Sequence, residues 1–338
     1  MGQASDSLDA EGGRWLVLPF ASYAPETKLA GGMVTGWYET PTGSVRPSSI
    51  QALITATQRR QVVLQIAPEW YVADGRWRLS GEGRIREFPN SFFGVGGDTP
   101  QAAEEPYTVR SLYLDAAAHH RVGTHWRLGG RLVTYTSTIS DTEAASVLGE
   151  QIIPGADGTT AIGIGPALVA DTRANRYFPR HGAFVDASFV WYSTAWGSES
   201  PFARWMGDLR MYRSMGGVVL AANLYTEAVL GTTPFELLPE LGGATHMRGY
   251  RQGRFRDNVY WTTQMEVRLP LFWRFRMTAF ASVGEVGPRL GSDVLNAIQG
   301  AVGLGGRLRL TEDGVYGRAD VAYGATGLQL YLSLGEAF

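Results

Sequence analysis

The side chains with chemistry to offer are unevenly spread along the chain. Residues 242–255, GGATHMRGYRQGRF, gather Arg248, Arg251 and Arg254 around a Gly-Tyr pair with no regular apolar period. A guanidinium presents five N–H donors in a rigid fork and binds carboxylates in pairs, so this stretch calls for an acidic partner. Lys28 is the sole lysine, which leaves arginine to carry nearly all the positive charge. The other candidates are five histidines, His119, His120, His125, His181 and His246. His119 and His120 would point to opposite faces of a strand, and no pair has the spacing of a helical metal site. With no cysteine, thiolate metal sites and disulfides are excluded. No G-x-S-x-G elbow, phosphate loop or dinucleotide fingerprint occurs, so the expectation is a protein that is not an enzyme and has no metal or cofactor.

The elements that must carry these residues are strands. The chain has 43 Gly, 15 Tyr, 14 Phe and 10 Trp, and only 18% charged residues, against about 25% in ordinary soluble domains. Apolar and polar residues alternate over long segments. RWRLSGEGRIREF (76–88) sets Arg76, Arg78, Ser80, Glu82, Arg84 and Arg86 against Trp77, Leu79 and Ile85. WTTQMEVRLPLF (261–272) sets Thr262, Gln264, Glu266 and Arg268 against Met265, Val267 and Leu269. Period two is the mark of a strand with two different surroundings, shared by sandwiches and membrane barrels. Three features favour the barrel. The segments exceed the five or six residues of ordinary strands. Trp70, Trp77, Trp126, Trp191, Trp196, Trp205, Trp261 and Trp273 cluster near segment ends, where interfacial belts sit. The chain finishes LQLYLSLGEAF, with Leu328, Leu330, Leu332 and Leu334 on one face and Phe338 last, an ending similar to the C-terminal signal of bacterial outer-membrane barrels.

Segmenting on this pattern predicts sixteen strands, at 15–21, 29–39, 48–57, 60–71, 74–86, 106–119, 123–137, 159–170, 182–195, 202–213, 216–229, 258–270, 274–284, 299–310, 316–323 and 327–337. The expectation is an all-β, transmembrane antiparallel up-and-down barrel over 14–338 behind a disordered tail, 1–13. Three long connections, 88–105, 138–158 and 231–257, belong on one side of the membrane. The net charge of -2 gives no footprint for nucleic acid. No run of 18 apolar residues offers a transmembrane helix, and MGQASDSLDAEGG lacks the order of a signal peptide, as expected of a mature chain.

Three motifs, in order, carry a resemblance. MRGY (247–250) is similar to the lumenal-loop motif of the bacterial surface antigen superfamily of outer-membrane assembly factors, which includes BamA, TamA and two-partner secretion transporters. QMEVRLP resembles that family's glutamate-bearing strand, with Glu266 at the glutamate. DTRANRYFPRHG (171–182) matches the family spacing at Asp171, Arg173, Asn175, Pro179 and Gly182. The set spans about 160–338. It implies an extracellular loop folded into the lumen, with Arg248, Gly249 and Tyr250 at its tip and Glu266 as the inner-wall partner of Arg248. The family often has an aspartate on the next strand where this chain has Ser282; either Glu285 substitutes or the arginine has one partner fewer. The chain has no room for the POTRA modules that usually precede such barrels.

The implied function is protein assembly or translocation in the bacterial outer membrane, through a lateral seam between first and last strands. Pro19, without an amide donor, suits an edge strand there. Expected partners are phospholipid, lipopolysaccharide, unfolded outer-membrane protein clients and a separate periplasmic or lipoprotein subunit. Two other readings stay open. One is a passive or plugged channel, with Arg76, Arg78, Arg84, Arg204 and Arg210 either lining a pore or pairing with Glu82 and Asp208. The other is an outer-wall lipid hydrolase using His119 or His125 with a nearby serine.

Overall fold

A computed structural model describes residues 14–39, 48–176, 178–289, 297–310 and 316–338. The expected tail 1–13 lies outside them. The strands are β1 (Arg14–Ala24), β2 (Lys28–Glu39), β3 (Ser48–Thr57), β4 (Val62–Val72), β5 (Trp77–Phe92), β6 (Glu105–Arg121), β7 (Trp126–Ser140), β8 (Gly158–Asp171) and β9 (Gly182–Tyr192). They continue with β10 (Phe202–Met215), β11 (Val218–Gly231), β12 (Glu240–Leu241), β13 (Phe255–Arg256), β14 (Val259–Pro270), β15 (Phe275–Gly287), β16 (Gln299–Arg309), β17 (Tyr316–Gly324) and β18 (Gly327–Leu334). All but β12 and β13 form one closed antiparallel barrel of sixteen strands, each beside its neighbour in sequence. Closure lets neighbouring strands satisfy one another's backbone groups around the ring, most fully away from the junction of β1 and β18.

Alternation in the sequence becomes inside and outside. On β14, Thr262, Gln264, Glu266 and Arg268 are buried while Met265 is 67% exposed. Leu64, Ile66, Leu114, Leu132, Val302, Leu304 and Leu328 are likewise exposed. An apolar belt of this extent suits hydrocarbon rather than water. No helix among the described residues is long and apolar enough to cross a membrane. Exposed Trp15, Trp77, Trp126 and Trp273 ring the end that carries β1's start, and Trp191, Trp196 and Trp205 ring the other, as interfacial indoles do.

Strand direction puts residues 93–104, 141–157 and 232–258, the cores of the three long connections, at one end of the barrel. The opposite end is turned by shorter links such as Gly216–Gly217, both at positive φ (56° and 93°), the geometry of a two-residue hairpin turn. The barrel closes where β1 meets β18. Among the described residues these strands are in register at Tyr23↔Leu332 alone, whereas β1 and β2 are in register from Arg14↔Tyr38 through Ala24↔Lys28.

Candidate functional site

The connection 232–258 crosses between two walls of the barrel. It begins with a 3-10 turn, Phe235–Leu237, and its β12 and β13 pair at Glu240↔Arg256 and Leu241↔Phe255 to make a small hairpin. At its root the Glu236 carboxylate accepts from Arg86 of β5 (2.8 Å), from Arg256 (3.1 Å) and from the Tyr107 hydroxyl of β6. Phe235 packs edge-on against Phe92 and Tyr107. Burial alone would raise the Glu236 carboxyl, but the Arg256 and Arg86 guanidiniums hold it below its usual value. Arg251 reaches Glu104 (3.2 Å) and Asn90 (3.2 Å), and Arg254 donates to the Thr99 carbonyl (2.6 Å). The basic residues flanking the motif thus bolt the loop to β5 and to the 93–104 connection.

The hairpin tip lies against the facing wall. Arg248 is 0% exposed. Its Nη1 donates to Asp320 Oδ2 of β17 (2.6 Å), its Nη2 to Glu266 Oε1 of β14, and its guanidinium carbon stands 3.5 Å from the centre of the Phe280 ring of β15. Two carboxylates and a ring face make a three-sided clasp for one planar cation. Gly249 adopts φ 109°, and a Cβ there would stand 2.8 Å from Ala301 Cβ, so only glycine fits. Tyr250 donates to the Gly300 carbonyl (3.0 Å) and accepts from Ala325 N (3.1 Å). The Tyr331 hydroxyl of β18 accepts from Gly249 N (3.0 Å) and donates to the Tyr250 carbonyl (3.0 Å), while Thr326 Oγ1 donates to the Gly249 carbonyl (3.1 Å). The motif is therefore fastened to the last hairpin of the barrel.

Around the clasp, buried charges alternate in sign. Arg268 joins Glu266 (2.8 Å) and the Phe338 carbonyl (3.1 Å); Arg307 joins Asp320 and Glu336 (2.8 Å). Leaving any one of them unpaired would strand a buried charge, a cost of about 3–5 kcal/mol.

Glu266 is thus in contact with Arg248. The second carboxylate is neither of the two alternatives raised by Ser282. Glu285 accepts from Ala297 N (2.7 Å) instead, and the Ser282 hydroxyl is buried with no partner among the described residues. Asp320 supplies the missing charge from two strands beyond β15. The available signal is its place on the polar face of YGRADVAYG, beside Arg318; Phe280 lies in none of the motifs, and Arg307, Tyr331 and Glu336 lie in C-terminal segments that do not single them out.

Asp171, Arg173, Asn175, Pro179 and Gly182 build the turn between β8 and β9, at the end opposite the long loops. Asp171 accepts from Arg173 N (3.1 Å) and Nε (3.0 Å), and Asn175 Oδ1 accepts from Phe178 N (2.8 Å). Pro179 is buried, and Gly182 has φ 100° with the Thr172 carbonyl 2.7 Å from where a Cβ would sit. This turn meets the clasp through Phe178, whose ring lies 5.8 Å from the Arg268 guanidinium carbon. Arg176 extends it to Glu69 (3.0 Å) and Tyr71 (2.8 Å).

Leu330, Leu332 and Leu334 face outward, but Phe338 does not continue their row. The chain leaves the strand at Gly335, φ 81°, and Phe338 is 5% exposed, packed with Tyr212 and Ala221. Of the lumenal arginines, Arg210 pairs with Asp208 (2.5 Å), Arg204 with Glu227, and Arg84 lies 3.6 Å from Glu82. His119 is buried on the inward face and His125 is exposed in a turn, so His119 is not on the outer wall.

Fold and site together define a transmembrane β-barrel with an arginine-tipped loop clasped to its inner wall. Residues 48–325 match the Omp85 superfamily domain, and the chain belongs to that superfamily of outer-membrane barrels. Its structure is similar to BamA from Haemophilus ducreyi lacking POTRA domains 1-3 (TM-score 0.68, 10% identity, 97% of this chain and 70% of that one). It is also similar to CdiB from Escherichia coli (0.61, 12%, 97% and 63%) and CdiB from Acinetobacter baumannii (0.58, 12%, 96% and 60%). The chain therefore spans less than two thirds of the length of either CdiB. No curated protein sequence matches it. The described residues hold the barrel and no POTRA-like part.

Proposed function

We propose that this barrel assembles or translocates polypeptides in the bacterial outer membrane, opening laterally between β1 and β18. The observation that carries the reading is the closure itself, in register only at Tyr23↔Leu332 among the described residues. Unpaired backbone groups on facing edges are a template for another strand, and Pro19 weakens β1 further by offering no amide donor. The clasp supports the same reading, because Arg248, Gly249 and Tyr250 are tied through Asp320 to β17 and through Tyr331 to β18, which forms one side of the seam. Clients are unfolded outer-membrane proteins, and a separate periplasmic or lipoprotein subunit delivers them. Phospholipid and lipopolysaccharide surround the outer wall.

The test uses purified barrel in liposomes and an unfolded outer-membrane protein. Insertion is expected to run faster than in empty liposomes. A Tyr23→Cys/Leu332→Cys disulfide should stop it and reductant should restore it; the chain has no cysteine of its own to interfere. Arg248→Ala, with its folded fraction checked by heat-modifiable gel mobility, should slow it. Insertion no faster than in empty liposomes, or unchanged by the disulfide, rejects the proposal.

A second reading has one observation in its favour. Loop 232–258 is anchored at Glu236 on β5 and β6 and at Arg248 on β14 and β17, so it spans the lumen. A plugged channel would show low planar-bilayer conductance that rises on deletion of 242–255.

A further inference from the structure

Away from the clasp, β5 to β9 enclose a polar cleft of about 160 Å³. Its charged walls are Arg78 and Glu82 of β5, Asp115 of β6, Arg131 of β7 and Asp186 of β9, with His119 of β6 between them. The two guanidiniums are already committed. Arg78 gives Nε and Nη2 to Glu69 (3.1 and 3.4 Å), and Arg131 gives Nε to Asp115 (2.8 Å) and Nη1 to Ser188 (3.2 Å). What is left over is acceptor capacity. Asp186 has no hydrogen bond or ion pair among the described residues, and the nearest cation to Glu82 is Arg84 at 3.6 Å. His119 is 3% exposed, and neither ring nitrogen has a partner among the described residues. Buried polar atoms are rarely left so without water or a ligand to complete them.

We propose that this cleft binds a small organic cation, an alkylammonium or guanidinium group. Such a group brings several N–H donors and one positive charge to Asp186 and Glu82, whose carboxylates accept no hydrogen bond among the described residues. An inorganic anion would meet Asp186 and Glu82, while both guanidiniums of the cleft are already paired to carboxylates, Arg78 to Glu69 and Arg131 to Asp115. A metal ion lacks a ligand set, since among the described residues no three histidine, aspartate or glutamate side chains stand close enough together to hold one. The size of the cleft admits a head group and excludes a folded segment. The site is independent of the seam and of the clasp.

Titration of putrescine into the purified barrel in detergent, followed by calorimetry, tests this. Saturable binding is expected, weakened about tenfold or more in Asp186→Asn and less in Glu82→Gln, with heat-modifiable mobility showing that both variants are folded. A lysine-containing tripeptide titrated in parallel separates the sources. Binding of putrescine alone assigns a free solute; comparable binding of the tripeptide assigns the side chain of a passing polypeptide. No saturable heat, equal affinity in Asp186→Asn, or displacement by magnesium or phosphate at lower concentration overturns the proposal.

Discussion

Replacing Tyr331 by phenylalanine removes one oxygen atom and leaves the packing of the ring against Phe280 and Ala322 in place. That oxygen serves two backbone groups of the loop. The Tyr250 carbonyl keeps a second donor, Gly243 N at 3.0 Å, so its loss is small. Gly249 N has Tyr331 as its only hydrogen-bond partner among the described residues, and in Tyr331→Phe it is left buried and unsatisfied. A stranded buried donor costs about 1–3 kcal/mol, so docking of the loop tip should weaken by about 2 kcal/mol. At about 1.4 kcal/mol per tenfold, local opening becomes about 30 times more frequent. Hydrogen exchange read by mass spectrometry should show this at the amides of Gly243 and Tyr250, which are bonded within the loop to Tyr250 and Met247. The amides of β6, across the barrel, should exchange as in the unmodified protein. Acceleration below about threefold at the loop, or equal acceleration in β6, would refute the idea that Tyr331 ties the motif to the seam strand.

Two further expectations concern the same loop. Gly249→Ala must hold a side chain at φ 109° against Ala301, whereas Gly243→Ala (φ 99°) finds its nearest neighbour, Gln252 Cβ, at 3.4 Å; both carry the backbone strain, so thermal unfolding should drop further for Gly249→Ala by about 1–2 kcal/mol, and equal drops would contradict the close approach. Acid should loosen the loop in two stages. Burial pushes the His246 imidazole, stacked on Tyr225 at 4.0 Å, from 6.5 down to about 4. The unfolded loop therefore takes up that proton first, and stability falls as pH drops from 6.5 toward 4. Glu236, held below its usual 4.5, contributes stability above that value that is lost as pH falls through its lower folded value. Unfolding midpoints against pH check this: His246→Gln should flatten the slope between pH 6.5 and 4, and an unchanged slope would exclude His246 as its source.

Much of the barrel was legible because its physics is local. A strand between lipid and a polar interior must alternate, so each of the sixteen segments read from the sequence overlaps a strand of the barrel. The ends were less legible. β5 runs on to Phe92, past the break in alternation at Glu87–Pro89, because β6 goes on pairing with it through Pro89↔Thr108 and Phe92↔Glu105. The turn after β9 comes early, at Tyr192, where Ser193 caps a 3-10 turn by accepting from Ala195 N. Such details depend on the neighbouring strand, which no window of sequence contains.

The candidate site divides along the same line. The types and order of Arg248, Gly249, Tyr250 and Glu266 are written in a short span, since a loop and the strand that follows it are near each other in sequence as well as in space. Asp320 is 72 residues from Arg248, and Tyr331 lies on the last strand. Only closure of the barrel brings them to the motif, because closing the sheet sets β14, β15, β17 and β18 around one volume. By itself, the sequence determined the strands, their two faces and the residue that would need an acidic partner. The tertiary structure decided which carboxylates share that arginine, that Phe338 turns inward, and that β1 and β18 are in register at Tyr23↔Leu332 among the described residues. The physical reason is that alternation is a property of each strand alone, whereas partners across a lumen exist only once every strand is in place.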